Sequence, residues 1–278
     1  MAANLLIVGA GGYLGRYLIP ILARGKKFSI TAISSQANLK WPKGVKSICA
    51  YIEDIPIELA ETNDLILNLA SAGVAHKEES DKNILLRNLE IAYCVSNLAR
   101  FTRLRFLLHF GSDTEYANLA AYLQGAEGLS VPTILVQQPT SLYSLSKTFQ
   151  SSLIRHLTSQ LGIYSQVIMT PNVYGGIEQP HSLMGAMRRA IEEKERFMLN
   201  NPDASKRFVH IDAFSHYVIA VLHDILSREG VFDEALRFAV SSMDFVPKTT
   251  VGVFAKNHWL LLGGKIADLG FLSQHLAD

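Results

Sequence analysis

Residues 4 to 8 (Asn-Leu-Leu-Ile-Val) form an unbroken apolar run that stops at a glycine, and from Tyr13 to Ala23 the apolar positions take the spacing of one helix face. This predicts a strand, a tight turn and a helix. The alternation continues with strands expected at 28–33, 47–51 and 65–69, a helix over 83–101 and a fifth strand at 105–110. Further on, helices are expected over 143–161 and 182–195, with a strand at 165–169 between them. Short continuous apolar strands alternating with helices imply an α/β protein whose parallel sheet is covered on both faces. Right-handed crossovers make that sheet doubly wound. The stretch from Asp113 to Thr140 is the least periodic of the first half, is punctuated by Pro132 and Pro139, and reads as a long active-site loop. After Phe245, apolar positions at Val251, Val253 and Phe254 and then at Trp259 to Leu262 precede a short helix expected beyond Gly264. With no repeat and no linker, the expected organisation is a nucleotide-binding domain over 1–170. A smaller substrate-binding lobe, mainly 171–278, would be intertwined with it.

Composition narrows this. The 278 residues are 49% hydrophobic and 18% charged, with a formal net charge of +1. Near neutrality removes the electrostatic case for nucleic acid or an anionic membrane surface as partner. No apolar run reaches the roughly 18 residues that a membrane span needs. Cys49 and Cys94 lie outside any metal-ligand spacing and read as core thiols of a reducing compartment, so no metal is expected. The N-terminus enters the first strand without a basic flank or cleavage site, which suggests a cytoplasmic protein.

The candidate chemistry begins at Gly9-Ala10-Gly11-Gly12-Tyr13-Leu14-Gly15, glycines three apart between strand and helix. In this Rossmann-type setting one glycine permits the turn, one lets the backbone approach a pyrophosphate, and one lets helix and strand pack closely. The phosphates then meet the helix N-terminus, whose N–H groups and dipole favour an anion. The second strand ends in Ile33-Ser34-Ser35-Gln36, with no carboxylate to repel a 2′-phosphate, and Arg16 and Lys40 are candidate counter-charges. NADP(H) is therefore expected in preference to NAD(H).

Tyr143 and Lys147 are four apart on a predicted helix and so share a face. An ammonium beside the phenol is expected to lower its pKa toward working pH. Ser112 is the first hydroxyl beyond the fifth strand, at the carboxyl edge where open α/β sheets bind ligands. His109 reads as a packed histidine, and Glu192 to Arg196 as a solvated helix face.

Taken together, Gly9-x-x-Gly12-x-x-Gly15, Glu53-Asp54-Ile55, Asn68-Leu69-Ala70, Asn88, Ser112, Tyr143-x-x-x-Lys147, Pro171-Asn172-Val173-Tyr174-Gly175 and Arg207-Phe208-Val209-His210-Ile211-Asp212 resemble, in order, the extended short-chain dehydrogenases of the NAD-dependent epimerase/dehydratase family. The resemblance spans residues 4 to about 220. It implies that Asp54 and Ile55 meet the adenine, that Ala70 and Ser71 line the cofactor path, and that Lys147 holds the nicotinamide ribose. Tyr143 would be the acid/base and Ser112 would bond the reacting oxygen, with Asp113, Asn172 and Arg207 on the substrate, Arg207 at its pyrophosphate. It further implies a nucleotide-linked sugar as substrate and a homodimer formed through the helices at 83–101 and 143–161.

Dehydratases of the family place an Asp-Glu pair after the hydroxyl residue. Here Asp113-Thr114 follows Ser112, and strand-like alternation would turn Glu115 to the other face. The stretch from Pro139 to Lys147 is most similar to the 4-ketoreductases that complete deoxysugar nucleotides. The alternatives are a sugar-nucleotide 4-epimerase that retains NAD and a non-catalytic dinucleotide-binding sensor.

Overall fold

The computed structural model describes residues 2–73, 81–116, 141–176, 179, 182–228, 239–242 and 246–272. Most of the expected loop, residues 117–140, lies outside the described residues. The chain forms two compact units, one of Met1–Thr170 with Tyr217–Ser242 and the other of Pro171–His216 with Met243–Asp278.

The first unit is built on β1 (Ala3–Val8), β2 (Phe28–Ser34), β3 (Lys46–Cys49), β4 (Leu65–Asn68), β5 (Phe106–Ser112) and β6 (Tyr164–Thr170), joined at its edge by β10 (Ala239–Ser242). Their order across the sheet is β10-β6-β5-β4-β1-β2-β3, and every adjacent pair is parallel. Leu5, Leu6, Ile7, Leu65, Ile66 and Leu67 are fully buried, as strands covered on both faces require. The chain reverses its direction of winding between β1 and β4, the switch point at which such sheets bind ligands. Register sharpens the picture: Val8, Asn68 and His109 lie level across β1, β4 and β5, and β5 then runs three residues further beside β6, to Ser112 paired with Thr170. Ser112 therefore stands beyond the level at which its neighbours end.

Helices α1 (Tyr13–Arg24), α2 (Ile57–Glu61), α3 (Asp81–Ala99) and α4 (Leu142–Leu161) follow strands of this sheet. A capping box between Ser141 and Ser144 starts α4, and Gly162, at φ +61, ends it in the left-handed conformation. The buried face of α4 is unusually polar: Ser144, Ser146, Lys147, Gln150 and Ser151 all point inward. Lys147 bonds β5 at the Phe110 carbonyl, and Ser146 is bonded from α3. Asn88 on α3, fully buried, donates to the Ser146 hydroxyl at 2.9 Å.

The second unit contains a three-stranded sheet, β7 (Asn172–Tyr174), β9 (Ser205–His210) and β11 (Lys248–Thr250), in the order β11-β9-β7. A two-stranded sheet pairs β8 (Phe197–Asn200) with β12 (Leu269–Leu272). With α5 (Leu183–Glu192) and α7 (Val251–Leu261), these elements enclose a core that includes Met187, Phe254, Ala255 and Trp259. Helix α6 (Ile211–Ser227) carries the chain from this unit back to the first.

One expectation fails at the sheet edge. Cys49 is exposed and Cys94 only half-buried, so neither is a core thiol; β3 is the outermost strand, and Cys49, level with Ser34 of β2 on one side, has no strand of the sheet on the other. No group of metal-ligating side chains occurs among the described residues, and no described helix is long and apolar enough to cross a membrane.

Candidate active site

The glycine turn joins β1 to α1. Gly9 has φ +78, and a Cβ there would fall 2.5 Å from the Ala70 backbone nitrogen. A Cβ at Gly15 would fall 2.3 Å from the Ala10 carbonyl oxygen. These two glycines are demanded by close backbone approach. Gly12 is different: it caps α1 with no side-chain hydrogen bond, and its nearest neighbour would be 3.4 Å away. The first bond of α1 runs from the Arg16 N–H to the Gly12 carbonyl, so the N–H groups of Tyr13, Leu14 and Gly15 lie ahead of the helical ladder. That is the geometry of an anion-binding helix N-terminus.

Above the turn lies a cleft of about 350 Å³. Gly9, Gly11 and Gly12 form its floor, with Ser34, Ser35 and Gln36 at one end and Ala70, Ser71 and Ala72 at the other. The residues present fit a dinucleotide: backbone amides for the phosphates, serine hydroxyls for a ribose, and an apolar wall from Ile33 and Ile52 for a base. Tyr13 and Leu14 begin the helix beside the cleft and are not part of its lining.

Two cofactor expectations shift. Tyr51 and Ile52 line the cleft where Asp54 and Ile55 were expected. The 3-10 turn Ile52–Asp54 bends the chain so that Asp54 faces solvent, while Ile55, 6% exposed, packs into the core. Arg16 is already engaged, bonding the Gly11 carbonyl at 2.7 Å and Gln36 Oε1 at 2.6 Å, so it braces the turn against the end of β2. Ser34 Oγ accepts the Gln36 N–H and completes that brace.

The opposite end of the cleft leads to the catalytic candidates. Asn68 Oδ1 accepts the Ala70 N–H, and Asn88 Oδ1 accepts the Ala72 N–H, which together fix the loop after β4. In that loop the Ser71 hydroxyl hydrogen-bonds Tyr143. One turn further along α4, Lys147 Nζ donates to the Phe110 carbonyl at 2.8 Å and to Gln150 Oε1 at 2.6 Å. Lys147 is 2% exposed, and burial lowers its pKa to about 8. Ser112 exchanges a 2.8 Å hydrogen bond with the Thr114 hydroxyl. His109 is fully buried against Asn68, and burial beside Lys147 keeps it neutral.

The structure also corrects the expected electrostatics. Residues 113–116 form a 3-10 turn instead of continuing as strand, and this folds Glu115 back beneath the end of β5. Its Oε1 accepts the Ser112 N–H at 2.8 Å. The Tyr143 phenol is not lowered by Lys147. Burial, reinforced by Glu115 and Asp113, pushes it up to about 12, and the Ser71 hydrogen bond opposes this only in part. Sequence reasoning missed Glu115, Gln150, Tyr51 and Ile52 as site residues. Only Gln150 carried a local signal, standing three residues from Lys147 on the same face.

Asn172 and Arg207 lie on β7 and β9 of the second unit, where the Asn172 amide donates to the Arg207 carbonyl at 3.1 Å.

The model of the NAD dependent epimerase/dehydratase family matches residues 5–230. The chain belongs to this family. It is therefore an oxidoreductase-type enzyme of the extended short-chain dehydrogenase class. No curated protein matches its sequence. Among solved structures, the chain of this family member is similar to the UDP-glucuronic acid 4-epimerase of Bacillus cereus in complex with UDP-glucuronic acid and NAD, at 16% identity and TM-score 0.77, covering 97% of this chain and 86% of that one. It is similar to the UDP-N-acetylglucosamine 4-epimerase of Methanobrevibacter ruminantium in complex with UDP-N-acetylmuramic acid, at 15% identity and TM-score 0.75, covering 100% and 88%. It is also similar to the dTDP-glucose 4,6-dehydratase of Bacillus anthracis in complex with NAD, at 17% identity and TM-score 0.76, covering 99% and 86%. At such identities the likeness establishes the fold.

Proposed function

We propose that this protein reduces the 4-keto group of a nucleoside-diphosphate-linked 4-keto-6-deoxyhexose, using NADP(H) in preference to NAD(H). The observation that carries the reading is the phenol of Tyr143, held protonated and joined through Ser71 to a cleft shaped for a dinucleotide. When bound, the reduced nicotinamide supplies hydride. Gly9, Gly12 and the start of α1 hold the phosphates, and Ser34 and Ser35 take the adenosine ribose and its 2′-phosphate. Tyr143 gives its proton to the developing alkoxide, while the Ser112 hydroxyl holds that oxygen in place. Lys147, fixed to Phe110 and Gln150, anchors α4 against β5 so that Tyr143 keeps its position.

Dehydration needs an acid and a base beside the sugar. Glu115 is bonded to the Ser112 backbone, inside the protein, which supports reduction over dehydration. In the second unit Asn172 and Arg207 are the substrate-contact candidates, and Asp113 is the candidate in the first. The reading includes a cytoplasmic homodimer formed through α3 and α4, on whose surfaces Leu86, Tyr93 and Phe149 are 52%, 58% and 43% exposed.

A second reading, 4-epimerisation with retained NAD, is favoured by the similarity to two 4-epimerases. The test separates them. Purified protein with NADPH and nucleotide-linked 4-keto-6-deoxyhexoses should consume NADPH, and Tyr143→Phe should stop turnover while binding NADPH normally. Silence across nucleoside bases, with NAD surviving purification and 4-epimers interconverting, would replace reduction by epimerisation.

A further inference from the structure

We propose that Tyr51, held by Arg87, is the platform on which the cofactor's adenine stacks, and that the cleft therefore grips the base by its face without reading its exocyclic amine. The proposal rests on the dinucleotide cleft of the reading above and goes beyond it to how the base is selected.

The chain leaves β3 at Cys49 and turns at once. Tyr51, at φ −74 and ψ 160, caps the 3-10 turn Ile52–Asp54, and its carbonyl accepts the Asp54 N–H at 3.2 Å. Adjacent side chains then part: Ile52 is 5% exposed and Tyr51 is 56% exposed, while both line the cleft. A large ring kept at the rim with over half its surface in water gains by being covered.

Arg87, on α3, also lines the cleft and reaches this turn at two points. Its Nη1 donates to both carboxylate oxygens of Glu53, at 3.1 and 3.0 Å, and its guanidinium carbon stands over the Tyr51 ring, 5.7 Å from the centroid. Glu90, three residues on in the same helix, takes a further bond from Nη1. Two carboxylates thus answer the charge, which makes Arg87 a stacking partner for the ring in preference to a counter-charge for a phosphate. The ring is ordered before a ligand arrives, so placing a base on it costs little side-chain entropy. A guanidinium over one face leaves the other face for a second π system.

The chemistry of the lining decides what can be read. Of the described residues that line the cleft, Tyr51 alone is aromatic and none carries a carboxylate. Glu53 is bound to Arg87, Asp54 faces solvent, and Gln36 Oε1 is engaged by Arg16. An acceptor aimed at the 6-amino group is what tells adenine from hypoxanthine, whose 6-keto oxygen puts an acceptor where adenine has a donor. Stacking draws on ring area, which the two purines share, and so tolerates the exchange.

Titration of reduced-nicotinamide fluorescence measures affinity without turnover. Wild-type protein should bind NADPH and its hypoxanthine analogue within about threefold of each other. Tyr51→Phe should bind NADPH like the wild type, whereas Tyr51→Ala should lose about tenfold or more. The affinity of adenosine 2′,5′-bisphosphate, read by displacement of NADPH, should fall by the same factor, and reduced nicotinamide mononucleotide, which has no adenine, should bind both proteins equally. Arg87→Met should weaken NADPH binding on its own and add little in a Tyr51→Ala background, because it acts through the ring. Discrimination against hypoxanthine by about tenfold or more overturns the proposal with no variant needed. So do undiminished NADPH binding by Tyr51→Ala, a loss in Tyr51→Phe equal to that in Tyr51→Ala, and additive losses for Tyr51 and Arg87. NADH carries the same base, so the Tyr51→Ala factor should be the same for it. A preference for NADH, or no turnover with any 4-keto sugar, would remove parts of the function proposed above and leave these ratios intact, so the failures are distinguishable.

Discussion

Alanine at Gly9 and alanine at Gly12 should separate folding from cofactor binding within one turn. At Gly9 two costs add. The φ of +78 penalises an L side chain by about 1–2 kcal/mol. The new Cβ would also sit 2.5, 2.6 and 2.8 Å from Ala70 N, Ala70 Cα and Leu69 C, all backbone atoms directly after β4. Relieving that contact means prising β4 from β1 at the centre of the sheet, an overpacking cost of about 1–3 kcal/mol. The sum, about 2–5 kcal/mol, corresponds to a fall in Tm of roughly 4–20 °C at about 2–4 °C per kcal/mol. At Gly12 the backbone is ordinary, with φ −71, and the nearest atom would be 3.4 Å away, so Gly12→Ala should cost under about 1 kcal/mol as a helix cap. Its methyl group would instead enter the cleft where a pyrophosphate must touch the backbone, and NADPH affinity should fall by about tenfold or more. Thermal unfolding and NADPH fluorescence titration measure the two quantities on the same samples. A Gly12→Ala protein that melts as early as Gly9→Ala, or that binds NADPH like the wild type, would refute the division of labour.

Three further expectations follow from single contacts. Ser35→Asp places a carboxylate at the exposed end of β2 and should weaken NADPH binding about tenfold while sparing NADH, as read by parallel titrations; equal losses for both cofactors would remove the proposed 2′-phosphate site. Asn88→Ala deletes the bonds to Ala72 and Ser146 and should cost about 2–4 kcal/mol, seen as a lower urea midpoint at unchanged slope. Lys147, near 8 folded against 10.5 unfolded, binds fewer protons in the native state across that window, so its contribution to stability should rise with pH there by up to about 1.4 kcal/mol per pH unit. The stability difference between wild type and Lys147→Met, followed from pH 8 to pH 10, should therefore change in the wild type's favour, and a flat difference would contradict the burial argument.

The sequence by itself determined what local periodicity and spacing can encode. Continuous apolar runs ending at glycine, followed by helical spacing, place β1, the turn and α1 to within a residue or two, and Tyr143 and Lys147 share a face because four residues make about one helical turn. Even Ser112, at the end of a buried run, is legible as an edge hydroxyl. Other properties were decided only by what the chain meets from far away. The cleft takes Tyr51 and Ile52 in place of Asp54 and Ile55, because a 3-10 turn after β3 sets which side chains face β1. Glu115 is turned inward by a hydrogen bond to Ser112 and by the space that Gly111 leaves, so alternation pointed it the wrong way. The Tyr–Lys spacing suggested a phenol lowered by an ammonium. Tertiary structure buried both groups and set a carboxylate against the ammonium, and because the field at a buried oxygen sums every charge and every lost water around it, no i to i+4 rule could have fixed its sign.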